Sequence, residues 1–412
     1  MPETIYLVAP AGHPNFGDEF IVSAWLRELY RRRPHARVIL DCHSPGIASI
    51  LHANVHPHLT VTDTLWQLGI KCASEEEVVQ SLKNTYSKPL LTTGLNLAKT
   101  ADIVHVLGGG WLNDTWPHHL KVLAGAVCLG AKQTVMTGQG FIPGDDIKHQ
   151  LGFWLQRFDL VEVRDEPSEA LFADLSHVER GLDDAWLAAS DPTAEHGLGW
   201  GSQDARERDF VIVAQSDLLG IEVDELARRI IRQLKHLGAT GDNIAYVECI
   251  PEFDHKVLDH LREIDPELME GTRVVAFDEL WAFGLPTREG QTWISTRFHP
   301  HLVAAARGVS GIAVSAHTGM YYTVKHASVG SAWTITDLYE PVEPGGPLTT
   351  NHIELNQSEA RRLAEKIYPM TSSQQFKHSL KAIGRSAKRR ITSYLDLGNA
   401  LGPCLSRVLL IY

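Results

Sequence analysis

Apolar positions follow two alternating rhythms over the first 190 residues. Short apolar runs at residues 4–9, 37–40, 103–107, 133–137 and 159–163 read as strands, and apolar side chains recur between them at helical spacing. The clearest helical face is Phe20, Ile21, Ala24, Trp25 and Leu29 within residues 18–32, with further helices at 118–130 and 147–158. This alternation is the βαβ rhythm of a parallel sheet. It lapses in a polar, glycine-rich stretch after Ser190 and restarts with strands at 210–214, 244–248, 273–276, 292–295 and 311–315. Helices follow near 223–237, 255–264, 300–307 and 357–367. The expected architecture is α/β, with two Rossmann-like doubly wound domains (1–190 and 210–370) facing a cleft and joined by a linker at 191–209.

A chain of 412 residues suits two such domains. The pattern changes again from Phe376, where apolar residues at 376, 380, 383, 387, 391, 394 and 395 are interleaved with Lys377, Lys381, Lys388 and Arg389. That is a basic amphipathic helix, which either packs on its own protein or makes a peripheral membrane contact. Net charge sharpens the contrast. The chain carries −12 overall, yet residues 371–412 hold seven Lys/Arg against one Asp, leaving −18 on the rest. An acidic body argues against general nucleic-acid binding. The longest apolar run, residues 122–131, falls short of the roughly 20 needed to cross a bilayer. Five scattered cysteines without a Cys-x-x-Cys pair, and no basic-then-apolar leader, give a cytoplasmic expectation, peripheral at the inner membrane face if the tail binds lipid.

Candidate chemistry gathers after predicted strands. Trp293-Ile-Ser-Thr-Arg-Phe-His-Pro-His301 joins a strand to a helix start. On an extended chain residues 293, 295, 297 and 299 fall on one side, so Arg297 and His299 are expected to project together. Pro300 suits the first helical position, and the unpaired N–H groups of that turn favour an anion. The segment reads as an anion site with a proton donor or acceptor built in.

The first βα loop, Gly12-His-Pro-Asn-Phe-Gly-Asp-Glu19, puts Asp18 where a helix cap is expected. It departs from Gly-x-Gly-x-x-Gly, so a nicotinamide cofactor is not supported. Gly108-Gly-Gly110, followed by Asp114, is either a ligand approach or a tight turn. Gly138-Gln-Gly140 adds a second backbone loop at the same edge. Arg164 and Asp165 form either an internal ion pair or part of a ligand site. The 21 histidines lack His-Glu-x-x-His spacing, and Asp183-Asp184 alone does not make a divalent-cation site, so no metal is expected. Trp25, Trp111 and Trp116 lie in or near these loops, as packing or as faces for a sugar ring.

In order, Asn15-Phe-Gly-Asp-Glu19, Gly108-Gly-Gly110 with Asp114, Gly138-Gln-Gly140 with Pro143, Val163-Arg-Asp-Glu166 with Ser168, and Arg297-Phe-His299 resemble the polysaccharide pyruvyl transferase family. Lys325 stands where that family often has a lysine, although His317-Thr-Gly-Met-Tyr-Tyr-Thr-Val-Lys325 lacks the Asp that commonly precedes it. The resemblance implies a GT-B-like fold and transfer of the pyruvyl group of phosphoenolpyruvate onto a sugar diol of a cell-surface glycan or lipid-linked precursor, without a cofactor. It makes Arg164, Arg297 and His299 donor-site residues. His299 is the candidate acid/base and Asp18 a candidate base towards the acceptor. Asn15, Gly17, Gly108, Gly109, Gly110, Asp114 and Lys325 are the expected substrate-binding residues. A nucleotide-sugar glycosyltransferase and a non-catalytic binding member of the fold are the competing readings.

Overall fold

The computed structural model describes residues 2–191, 196–316 and 321–370. The expected amphipathic tail at 371–412 lies outside the described residues, as do residues 317–320. Strands β1 (Thr4–Ala9), β2 (Arg37–Cys42), β3 (Leu59–Thr62), β4 (Ile103–Val106), β5 (Gln133–Gln139), β6 (Leu160–Val163) and β7 (Val178–Arg180) form one parallel sheet, in the order β3-β2-β1-β4-β5-β6-β7. Strands β8 (Phe210–Val213), β9 (Ile244–Val247), β10 (Arg273–Val275), β11 (Thr292–Ser295), β12 (Ser310–Val314) and β13 (Thr334–Thr336) form a second, in the order β10-β9-β8-β11-β12-β13. Both sheets run outwards from their first strand in two directions, which is the doubly wound Rossmann pattern. The chain thus has two parallel-sheet α/β domains, as the apolar rhythm predicts.

Their central strands read as unbroken apolar runs because helices cover both faces. Tyr6, Val8, Val104, Val106, Met136 and Val161 lie in the first core, and Ile212, Tyr246, Ile294, Ile312 and Val314 in the second. Strands β3, β7 and β13 are not in the predicted set. They are short edge strands of mixed polarity, so their sequences lack the apolar run that marks the centre. Trp25 is fully buried in the helix Phe16–Arg32 and packs edge-on against His105 of β4, 4.6 Å between ring centres, so it is a core residue.

Strand order fixes where a ligand can sit. Each sheet reverses direction beside its first strand, between β1 and β4 and between β8 and β11. Val8 pairs with Val106, and Val213 with Ser295, so the loops leaving each pair start at one level. Crevices at the carboxyl ends of such strands are the usual ligand sites of open α/β sheets.

One buried cation ties the second sheet to the connection between the domains. Arg307, the C-cap of the helix Phe298–Ala306, donates to the carbonyls of Ala189, Leu198 and Gly199 at 2.9, 3.2 and 2.6 Å. No helix among the described residues is long and apolar enough to cross a membrane.

Candidate functional site

The loops after β1, β4, β8 and β11 line one cavity of about 480 Å³. Asn15, Gly17 and Asp18 reach it from the first loop, Gly110 and Trp111 from the second, Gln215 and Asp217 from the third, and Arg297 and His299 from the fourth. Arg164 and Lys325 complete its charged part.

The first helix begins at Phe16, two residues earlier than its sequence predicts. Asn15 is the cap: its Oδ1 accepts from Gly17 N at 3.2 Å and its Nδ2 donates to Asp18 Oδ2 at 2.8 Å. Asp18 is therefore not the cap and faces the cavity instead. Burial lifts its carboxyl to about 6, against the pull of His299, Lys325 and Arg164.

The glycine loops divide their work. Gly108 N donates to Asp184 Oδ2 at 2.7 Å, and a side chain at Gly108 would meet the Gly138 carbonyl and the Asp184 carboxylate. Gly109, at φ +148°, carries the loop into backbone pairing with Gln139. Of the three, only Gly110 lines the cavity, and a Cβ there would sit 3.2 Å from both Arg164 Nη2 and Lys325 Cε. Gly140 makes room for the same guanidinium, which a Cβ would approach to 2.7 Å. Asp114, in the expected set, is not among the cavity's lining residues. It braces two loops, its carboxylate accepting from Ile147 N at 3.1 Å and its own N–H donating to Pro143 O at 2.8 Å.

Arg164 is buried and donates through Nη1 to Asp183 Oδ2 at 2.8 Å, while its Nε has no hydrogen-bond partner. Its guanidinium lies 4.7 Å from the centre of the Phe298 ring, so the two arginine motifs touch across the cleft. Asp183 also faces His299, with Oδ1 3.5 Å from Nε2, an ion-pair distance without hydrogen-bond geometry. Burial pushes the Asp183 carboxyl up, but His299 and Arg164 together hold it well below the usual range. The other side of the imidazole lies over Gly17, where a Cβ would be 1.9 Å from Nδ1. His299 thus stands in the seam between the domains, with Asp183 at Nε2 and the Gly17–Asp18 turn at Nδ1.

Arg297 and His299 do not share a side. Strand β11 ends at Ser295, Arg297 becomes the helix N-cap, and His299 is the second helical residue, so the two-residue alternation of a strand no longer applies. Pro300 is the third helical residue, still within the first turn. Arg297 turns back into its own domain. Its Nε donates to both carboxylate oxygens of Asp254 at 3.0 Å, and its Nη2 to Asp217 at 3.1 Å and again to Asp254. Asp254 keeps that guanidinium cationic and also accepts from the backbone of Cys249 and Ile250 at 2.8 and 3.1 Å.

Lys325, on the helix Tyr321–Ser328, carries its ammonium 4.0 Å over the Tyr321 ring. Burial and then the charge of Arg164 lower it to about 7, against the pull of Asp18 and Asp183. Asp183 and Tyr321 are site residues that the sequence did not yield as such. The Asp183-Asp184 pair was visible, but as a metal motif; its role follows from how far β7 returns the chain to the cleft. Among the described residues, no group of three or more His, Cys, Asp or Glu is placed to hold a metal ion.

The fold and this cavity define a two-domain Rossmann-like protein with a cationic, proton-bearing cleft. The sequence model of polysaccharide pyruvyl transferase matches residues 15–318, most of the chain, and the protein belongs to that family. Lys325 lies beyond the matched residues. No curated protein matches the chain in sequence. Among solved structures it is similar to the UDP-GlcNAc 2-epimerase of Methanocaldococcus jannaschii in complex with UDP-GlcNAc and UDP, with 12% identity, 88% of this chain and 99% of that chain covered and a TM-score of 0.49. It is also similar to the UDP-GlcNAc 2-epimerase of Neisseria meningitidis bound to UDP-GlcNAc, with 12% identity, 94% and 100% covered and a TM-score of 0.45.

Proposed function

We propose that this transferase moves the pyruvyl group of phosphoenolpyruvate onto two hydroxyls of a sugar, closing a cyclic ketal and releasing phosphate. The observation that carries this reading is the position of His299, between Asp18 and Asp183 and beside the cations Arg164 and Lys325, in one cavity. Arg164 and Lys325 suit a ligand with anionic groups at both ends, and the Arg164 Nε makes no hydrogen bond within the protein. Arg297 closes the opposite wall.

In this mechanism the methylene carbon takes a proton, making C2 electrophilic. One sugar hydroxyl adds to C2, the C2–O bond to phosphate breaks, and the second hydroxyl closes the ring. The two hydroxyl protons balance as one on the new methyl group and one on the departing phosphate. His299, held by Asp183, moves a proton in the seam, and Asp18 takes one from the acceptor. Each such transfer contributes about 10²–10⁴-fold. No step calls for a metal or an organic cofactor.

The test is incubation with phosphoenolpyruvate and a glycan panel, read as the mass gain of one ketal-linked pyruvate. His299→Ala should lower turnover by about 10²–10⁴-fold with its melting temperature close to wild type. Near-normal turnover in that variant, or stabilisation by a uridine diphosphate sugar and not by phosphoenolpyruvate, would overturn the reading. The positive charge of residues 371–412 supports a lipid-linked acceptor at an anionic membrane face. Salt-sensitive binding to anionic vesicles, lost on deleting residues 376–412, checks this.

A further inference from the structure

The cavity has a second half that the donor chemistry leaves unused. It is walled by rings from three loops of the first sheet: His13, His43, Trp111, Trp116, His118 and His119. Buried Trp66 backs this wall, its ring centre 4.7 Å from that of His43, 5.4 Å from Trp111 and 5.1 Å from His119. Trp116 stacks on His119 at 13° between planes. Trp111 and His119 are buried, whereas Trp116 is half-buried and His13, His43 and His118 are exposed, so the last four offer their surfaces to a ligand.

Charge separates the two halves. Every lysine, arginine and carboxylate among the described lining residues (Asp18, Arg164, Asp217, Arg297 and Lys325) belongs to the other part of the cavity. Burial lowers the pKa of His43, His118 and His119, and the neighbouring imidazoles or Lys121 lower them further, so these rings are neutral near pH 7. His119 Nδ1 donates to the Trp111 carbonyl at 2.8 Å, which fixes its tautomer. A neutral imidazole both donates and accepts, as a sugar hydroxyl does, and an indole face matches the C–H face of a pyranose. An anionic group placed here would lose its water, and the nearby Lys121 is already held by the Cys72 carbonyl at 2.9 Å.

We propose that Trp116, His118, His43 and His13 form an acceptor subsite for an uncharged pyranose, its C–H face on Trp116 and its hydroxyls on the imidazoles. Naming it the acceptor side rests on the pyruvyltransferase reading; the binding chemistry does not. Asn15 and Asp18 line the same cavity as Trp116, so a ring held there shares the cavity with the candidate base.

The experiment is saturation-transfer NMR on the full-length protein without phosphoenolpyruvate. The probes are the methyl glycosides of glucose, galactose and mannose, with methyl glucuronide and glucose 6-phosphate as anionic counterparts. At least one neutral glycoside should receive saturation at its ring protons, and the anionic sugars should bind at least about tenfold more weakly. Trp116→Ala should weaken the neutral glycoside about tenfold and leave phosphoenolpyruvate affinity unchanged, and His118→Gln, at an exposed position, should do the same to a smaller degree. No transfer to any neutral glycoside, preference for an anionic sugar, or unchanged binding in both variants overturns the subsite. Loss of phosphoenolpyruvate binding in the wild type, with glycoside binding intact, would overturn the donor assignment and leave the subsite standing.

Discussion

Arg164 and Arg297 are both buried, both line the cleft and both pair with a buried aspartate, yet they are held differently. Asp254 and Asp217 together occupy the fork of Arg297, and Asp254 is itself capped by two backbone N–H groups. Arg164 has one hydrogen-bonded carboxylate, a second, Asp165, 3.9 Å from an Nε that makes no hydrogen bond, and two glycines cleared from around its guanidinium. The more fully paired cation suits holding the fold, and the less paired one suits a ligand. Residue type alone does not separate the two. The number of acceptors already in place does.

This contrast can be broken by experiment. Arg297→Met leaves Asp254 buried without a counter-ion and should cost about 3–5 kcal/mol of unfolding stability, read from the urea midpoint. Phosphoenolpyruvate affinity below that midpoint should stay close to wild type; a collapse of affinity would make Arg297 a ligand-binding cation after all. Arg164→Lys keeps the charge that Asp183 needs and loses the planar fork, so kcat/KM should fall by about 10²-fold, ~2.7 kcal/mol. An unchanged kcat/KM there would erase the distinction drawn between the two arginines.

The pH profile probes the less paired side. In the proposed reaction Asp18 acts as a base when ionised, above about 6, and Lys325 binds anions when protonated, below about 7. The profile of kcat/KM should rise through the first value and fall through the second, with slopes of about tenfold per pH unit. Lys325→Arg should move the alkaline limb upwards, and a limb that stays put would remove Lys325 from the charge count.

The smallest effect comes from behind the site. His301 and His326 meet at 3.0 Å between Nδ1 atoms in a fully buried position, and burial lowers both pKa values, that of His326 to about 3. The unfolded chain takes up these protons below about pH 6.5 and the native state does not, so the pair's contribution to stability is level above neutrality and falls as pH drops. Each group costs up to about 1.4 kcal/mol per pH unit. Buried Asp41, Asp184 and Glu162, lifted to about 7, 7 and 8, act in the opposite sense, so the pair's share is read as the difference between wild type and His326→Gln in the urea-midpoint change from pH 7.5 to 5.5.

The central architecture was legible because strands buried on both faces leave long apolar runs: β1 and β11 match their predicted bounds. Short strands such as Val178–Arg180 leave none, and a three-residue edge cannot be told from a loop. The Arg-Phe-His segment was legible as chemistry but not as geometry, since the strand ends two residues before Arg297 and the chain rotates the pair apart. Asp183 was legible only as a residue type. Its partners, Arg164 and His299, are brought to it by sheet order and domain packing, which leave no local pattern.

Gly17 has a consequence of its own. The imidazole of His299, from one domain, fills the volume that any side chain at Gly17, from the other, would need. The catalytic candidate and its two carboxylate neighbours therefore exist as a set only while the domains are shut. Any hinge motion that admits substrate would also pull the set apart, so in the proposed reaction proton transfer is gated by closure, and the proposed enol phosphate donor meets the assembled groups only after bulk water has been squeezed from the seam.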